Sequence, residues 1–422
     1  MTRQPTTAPN GGFGGRVLWA VYLPSALWAC GMGAVTPAIP LLGHRLGAGH
    51  AVSAVIVALL GFGQIIGDVP AGKLAARVGD RWAMLIGGTA GIGVLAVAAV
   101  AGHWLVLAGA VLVLGGIGAI FGLARQAYVT RVAPVAVRAR ALSSLGGVAR
   151  IGMLIGPFAA APLEHAFSVR AAFWLAVATS AVTVAVVALL SVPGEGPAET
   201  AAPGAIGGQG EGGREAPVSA WAIVKRNRRM LATMGVGIIL VGAVRATRNV
   251  VLPLWSAEIG LDDATTSIVF GLSGLVDAAL FYPSGKVMDR HGRAWVAVPS
   301  MAVMGVCLAL LPLTGGLGSL AAVAMALGFG NGIGSGIVMT LGADLAPAGY
   351  TVQFLAVWRL LHDSGNAGGP LVVSAGAALG SLAAGVWVMA GGGLVAAALL
   401  FVCLPRWTVH ANHRTRRAAG LE

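Results

Sequence analysis

Charge is scarce in this chain. Only 10% of its 422 residues are Asp, Glu, Lys or Arg, against about 25% in an ordinary soluble protein. Such scarcity excludes a large soluble helical protein, whose helices need polar outer faces. Cysteine is nearly absent as well. Cys30, Cys307 and Cys403 lie in separate apolar runs, so neither a disulfide framework nor a thiolate metal cluster is expected. No metal-ligand spacing, nucleophile elbow or paired-carboxylate motif is present, which speaks against an enzyme. The stretch "GDVPAGKL", 67–74, fits G-x-x-x-x-G-K, but Leu74 stands where a hydroxyl would hold magnesium, and no cofactor is expected. The polar "MTRQPTTAPNGGFGG" precedes a run too long for a cleaved signal peptide and without a clear cleavage site.

What is present is apolar length. The chain is 57% hydrophobic with mean hydropathy +0.84. Twelve runs, 17–41, 51–72, 82–101, 104–128, 141–163, 171–192, 230–254, 264–285, 294–313, 319–343, 351–377 and 381–404, approach or exceed the roughly 20 residues that cross a bilayer. The expected fold class is an all-α membrane protein with twelve transmembrane helices. The net charge of +12 follows topology rather than a nucleic-acid partner. With the N-terminus in the cytoplasm, only Arg45 and Arg170 of the Lys and Arg residues outside the spans fall on the outer side. That asymmetry predicts a multi-pass protein of the cell membrane, both termini cytoplasmic, its basic loops facing lipid headgroups.

Residues 193–229 separate two sets of six spans, 17–192 and 230–404. Their first part, "PGEGPAETAAPGAIGGQGEGGREAPVSA", cannot bury a core and reads as a disordered linker. Residues 1–16 and 405–422 read as a flexible N-terminus and a basic cytoplasmic tail. The halves repeat at a single ungapped offset of 213: Pro70 maps on Pro283, Lys73 on Lys286, Pro134 on Pro347, and Gly156-Pro157 on Gly369-Pro370. The repeat predicts two parallel bundles related by an axis along the membrane normal.

The repeated loop carries a family pattern. "GKVMDRHGR" has Gly285, Asp289, Arg290, Gly292 and Arg293 in the order Gly-x-x-x-Asp-Arg-x-Gly-Arg; "GKLAARVGDR" keeps Gly72, Arg77, Gly79 and Arg81 but has Ala76 in place of the acid. With its span count and duplication, the chain resembles the major facilitator superfamily. Gly152, Gly156 and Pro157 match part of the helix 5 pattern of that family's drug:proton antiporters, whereas the helix 4 Arg is replaced by Leu112. The resemblance implies that helix 2 packs beside helix 11 and helix 5 beside helix 8. The glycines of the loop would let backbones approach closely. Rise per residue then places Asp68 and Arg359 at similar depths of about 7.5 and 9 Å, and Asp277 and Arg150 at about 13 and 15 Å. Asp68–Arg359 and Asp277–Arg150 are therefore the expected pairs between the halves, Asp68 standing in for the carboxylate missing from the first loop.

Each intramembrane charge needs a partner, a proton or water. Asp363 is the offset mate of Arg150 and lies in the polar run "RLLHDSGN". It is either a proton carrier tuned by His362 and Arg359 or an intrahelical bridge to Arg359. Asp277, Asp68 and His362 are further coupling candidates. Arg245 and Arg248, three apart and on one face, either attract an anionic substrate or pair with Glu258 or Asp262. Arg125 lines the cavity or snorkels to the inner surface. Trp28, Trp255 and Trp358 are candidates to stack on substrate or to sit at an interface. The resulting expectation is a monomeric secondary transporter working by alternating access, an antiporter coupling proton entry to efflux of small amphiphilic compounds and so to multidrug resistance. A transporter of a small organic anion and a non-transporting sensor or scaffold on the same fold are the alternatives.

Overall fold

The computed structural model describes residues 15–132, 135–190, 220–347 and 349–420. Among them every regular element is a helix, and twelve are long. The first half comprises α1 (Gly15–Arg45), α2 (His50–Val78), α3 (Asp80–Ala99), α4 (Trp104–Val132), α5 (Val135–Ala166) and α6 (Arg170–Leu189). The second comprises α7 (Val236–Glu258), α8 (Asp263–His291), α9 (Ala294–Leu310), α10 (Leu317–Ile333, resuming as Ile337–Leu345), α11 (Thr351–Leu379) and α12 (Leu382–Trp407). Eleven of these spans are long and apolar enough to cross a membrane. The twelfth, α11, has the length but carries Arg359, His362, Asp363 and Asn366. Large apolar side chains such as Ile66, Trp82, Val100, Leu379 and Phe401 stand exposed on the outer surface, as they do where the solvent is lipid. The chain is a multi-pass membrane protein.

Hydrophobic attraction between helices is weak in lipid, so close backbone contact at small residues has to hold a bundle together. A Cβ built on Gly152 would sit 2.2 Å from the Ala26 carbonyl oxygen, and one on Gly156 2.3 Å from that of Cys30. These contacts lock α5 to α1. At the same offset of 213, a Cβ on Gly365 would meet the Ile239 oxygen at 2.0 Å and one on Gly369 the Ala243 oxygen at 2.2 Å, locking α11 to α7. Gly115 on Leu60 and Gly328 on Ser273 repeat the relation, both at 2.1 Å. The helix 5 glycines, expected from antiporter relatives, thus serve packing inside one half and have counterparts in the other. Between the halves α2 packs on α11 and α5 on α8, with α1 touching α7.

The signature loops differ from expectation. Gly72 and Gly285 have open space where a Cβ would point, so neither mediates a close approach. The glycines that the backbone demands are Gly79 and Gly292, at φ 83° and 98°, where other residues are strained. They turn α2 into α3 and α8 into α9. Nor did the missing carboxylate move into the membrane. Asp80, buried at the start of α3, bonds to Arg131 at the end of α4. In the second half Arg293 Nε lies 2.9 Å from Asp344 Oδ2. Asp80 and Arg293 are offset mates, as are Arg131 and Asp344, so the duplication keeps one ion pair and reverses its polarity. Asp289, mostly exposed, is only a second partner of Arg293 at 3.4 Å. Arg81 donates to the Val187 and Ala188 carbonyls of α6, while Arg77 and Arg290 lie at the surface.

Most of the linker falls outside the described residues. Its last part forms the helix Ala220–Arg226, whose Ile223 is buried and whose Arg226 covers the Tyr350 ring. The basic tail is also folded. The amides of Arg293 and Ala294 donate to the His410 and Ala411 carbonyls, and Arg416 of the helix His413–Ala418 donates to the Asp289 and Arg290 carbonyls.

Gly156→Ala should lower the thermal unfolding temperature of purified protein in detergent, since overpacking costs about 1–3 kcal/mol. Gly146→Ala, whose Cβ would meet nothing within 4 Å, should leave it unchanged or raise it slightly.

Candidate functional site

A cavity of about 690 Å³ lies between the halves. Trp28 and Thr36 of α1, Gln64 and Asp68 of α2, Arg125 of α4 and Arg150 of α5 line it from one half. Arg248 and Asn249 of α7, Phe270 and Asp277 of α8, and Arg359 of α11 line it from the other. It runs from mid-span toward the side of the signature loops. Across the opposite side an ion pair and a His–carboxylate contact join the halves: Arg45 Nη2 lies 2.7 Å from Asp263 Oδ2, and His50 Nε2 3.2 Å from Glu258 Oε2. Phe158 of α5 also packs where a Cβ of Gly271 on α8 would stand. The protein is therefore closed on that side.

Asp277 organises the cavity wall. Its Oδ2 accepts from Asn331 Nδ2 at 2.7 Å and lies 3.5 Å from Arg248 Nη1; its Oδ1 faces Arg150 Nη1 at 3.8 Å across the halves. One carboxylate thus faces two guanidinium groups and an amide from three other helices. Aromatic faces support both arginines, Phe281 at 4.2 Å from Arg150 and Phe270 at 5.7 Å from Arg248. The break in α10 supplies the remaining acceptors. Gly336 turns left-handed at φ 82°, Ser335 Oγ accepts from Arg150 at 3.1 Å, and the Gly334 carbonyl accepts from Arg245. Irregular backbone at this depth is tolerated because polar side chains satisfy it.

The structure separates candidates that the sequence grouped. Arg248 lines the cavity; Arg245 is held between helices by Gly334 and does not. Neither pairs with Glu258 or Asp262, which are engaged by His50 and by the amide of Thr265. Asp68 and Arg359 both line the cavity, but Asp68 makes no ion pair among the described residues. Arg359 Nε instead lies 3.5 Å from Asp363 Oδ2 within α11. Asp363 also meets His362 Nδ1 at 3.3 Å, with Asn366 beyond it, and neither Asp363 nor His362 reaches the cavity wall. Trp28 lines the cavity, stacked on Phe121 at 4.6 Å. Trp358 does not: it is buried against Gly342 and donates to the Val338 carbonyl. Trp255 donates to Thr314. Among the described residues no group of His, Cys, Asp and Glu is arranged to hold a metal ion.

The family model of the Major Facilitator Superfamily matches residues 22–370, and again 234–421. The chain belongs to this superfamily. No curated protein sequence matches it significantly. Its fold is similar to that of the nucleoside transporter NupG, at 16% identity and TM-score 0.70, covering 90% of this chain and 98% of that one. A POT family transporter bound to a thioalcohol-conjugated peptide gives 14% identity and TM-score 0.73 over 94% and 98%. The human organic anion transporter MFSD10 gives 17% and 0.61 over 91% and 98%. For a superfamily transporter, the residues that sequence reasoning missed are the seal on the opposite side and Asn331. Arg45 carried a signal, as one of two outer basic residues. Glu258 and Asp263 carried a weaker one, as the offset mates of Arg45 and His50, but that offset does not say that the outer ends of α7 and α8 face α1 and α2.

Asp277→Asn strands two guanidinium groups in the cavity wall, and breaking a buried pair costs about 3–5 kcal/mol. Its unfolding temperature should fall well below wild type. The double variant Asp277→Asn/Arg248→Gln should recover most of the loss, measured side by side by thermal unfolding in detergent.

Proposed function

We propose that this superfamily member is a proton-coupled secondary transporter of a small amphiphilic organic anion, working by alternating access. The observation that carries it is Arg125. It lines the cavity, its Nε is buried without a hydrogen bond, and among the described residues it has no ion pair or hydrogen-bonding partner. Every other arginine of the wall is engaged: Arg150 and Arg248 by Asp277, Arg359 by Asp363. A guanidinium at membrane depth that faces the cavity without a carboxylate partner calls for an anion. The wall around it is apolar and aromatic, with Trp28, Phe121, Met153 and Leu154, which suits a hydrophobic body attached to an anionic group. The fold is shared by transporters of nucleosides, peptides and organic anions and does not choose among them.

Asp68 is the cavity carboxylate best suited to take up and release a proton, because it faces the cavity with no ion pair. Asp363 and Asp277, the other candidates, are tied to cations. The asymmetry of Lys and Arg favours a cytoplasmic side for the signature loops and both termini, in a cell membrane, and with that orientation the seal on the opposite side makes this an inward-facing state of a single chain.

Efflux of drug-like amphiphiles, as in the antiporters whose helix 5 glycines this chain shares in part, is the second reading, and the apolar wall favours it. The two differ in whether the occupant must carry negative charge. Screening amphiphilic carboxylates and phosphates against their neutral esters by thermal shift, followed by uptake into proteoliposomes with and without a pH gradient, separates them. Arg125→Gln should weaken the anion about tenfold to a hundredfold, as expected for a lost charge-assisted hydrogen bond, and leave the neutral analogue unchanged. Equal binding of the anion by wild type and variant would refute the assignment.

A further inference from the structure

Glu164, near the end of α5 on the sealed side, has no place in the cavity. It is 5% exposed, and neither carboxylate oxygen has a hydrogen-bond partner. The Ser267 hydroxyl of α8 approaches the carboxyl closely enough to interact with it, without a well-formed hydrogen bond on either side. The charged groups around it cannot neutralise an anion. From α8 come Asp263 and Asp262, two more carboxylates. Arg45 of α1 is committed to Asp263. Arg170 at the start of α6 is spent on the Ala99 and Ala101 carbonyls. His165, next in α5, points to solvent and interacts with Asp262. His50 faces Glu258 and stacks on His44. A third negative charge at this junction would be buried, unpaired and repelled.

We propose that Glu164 is a proton-binding site that governs the outer seal: its carboxyl is neutral while α5 and α8 are closed over it, and it ionises when they part. The inference rests on the alternating-access reading, not on the identity of the substrate or on Asp68 as carrier. Glu164 is buried on the sealed side and does not line the cavity, so in this proposal it gains and loses its proton from that side when the seal opens. It therefore senses pH on that side without carrying protons across. The sign follows from linkage. The sealed state binds one more proton than the open state, so falling pH favours the seal, by at most tenfold in the closed-to-open ratio per pH unit.

The test uses full-length protein in lipid nanodiscs, with the native cysteines replaced by alanine and spin labels at Phe167→Cys and Leu313→Cys. Both positions are exposed on the sealed side, one in each half. Distance distributions by pulsed electron resonance are recorded from pH 5 to 9. Wild type should shift from short to long distances as pH rises. Glu164→Gln, which mimics the protonated form, should stay short throughout, and Glu164→Met, similar in volume, should do the same if the amide variant folds poorly. His50→Gln should keep the wild-type response. The proposal falls if wild type does not respond to pH, if Glu164→Gln responds like wild type, or if His50→Gln alone abolishes the response. It also falls if replacing sodium by N-methylglucamine at fixed pH shifts the distances as pH does, which would make Glu164 a cation site. None of these outcomes depends on transport, so failure of the substrate assignment leaves the test intact.

Discussion

A carboxylate inside an apolar medium has to be neutralised by a cation, by hydrogen bonds or by a proton. That requirement sorts the acidic residues of this protein more sharply than any motif. Asp277 receives two guanidinium groups and an amide. Asp363 receives Arg359 and His362. Asp263 and Glu258 receive Arg45 and His50 from the other half. Asp68 borders a cavity open on one side, and Glu164 is buried without a cation among the described residues. What remains for each is a structural tie, a substrate-side proton or a seal that depends on protonation.

The same requirement explains how far the two halves could diverge. Backbone contacts at glycine are indifferent to charge, and three of them recur at the 213-residue offset with nearly equal separations. Ion pairs are constrained only in the sum of their two members. Asp80–Arg131 and Arg293–Asp344 therefore exchange signs and keep their place. Across the halves the same exchange occurs at the seal: Arg45 and Glu258 are offset mates, as are His50 and Asp263, so the two contacts there are one pair with its signs reversed. Arg150 meets Asp277 at the α5–α8 contact, whereas the α2–α11 contact has the Arg359–Asp363 bridge beside an unpaired Asp68. The two-fold relation of the bundles is thus kept inside each half and at the seal, and broken where α5 meets α8 and α2 meets α11.

This division also decides what could be read from the sequence. Spans and duplication are properties of runs and offsets, and they were legible. Arg150–Asp277 was legible because depth along a helix follows from residue number. Partners that depend on helix rotation were not. Arg245 and Arg248 are three apart, yet one reaches the cavity and the other a helix break, and nothing in span 10 announced that break beyond its glycines. Glu164 was overlooked for a simpler reason. The predicted span ended at 163, so a residue buried in the α5–α8 contact was counted as loop.

The seal and the cavity mouth are held by different kinds of contact, and alternating access can be understood from that difference. On the sealed side the ties are one ion pair and one His–carboxylate contact, each with one partner substantially exposed. Such pairs contribute little, about 0–1 kcal/mol, so the closure draws on the packing of α5 against α8, where Phe158 meets Gly271. A carboxyl buried in that same contact gives the packing a condition: it holds only while the carboxyl is uncharged. On the signature-loop side the contact is polar, and Asp68 waits across from Arg359. Bringing those two together would free Asp363 from its bridge, and in that exchange of partners, rather than in any single residue, the two ends of the transporter can be linked.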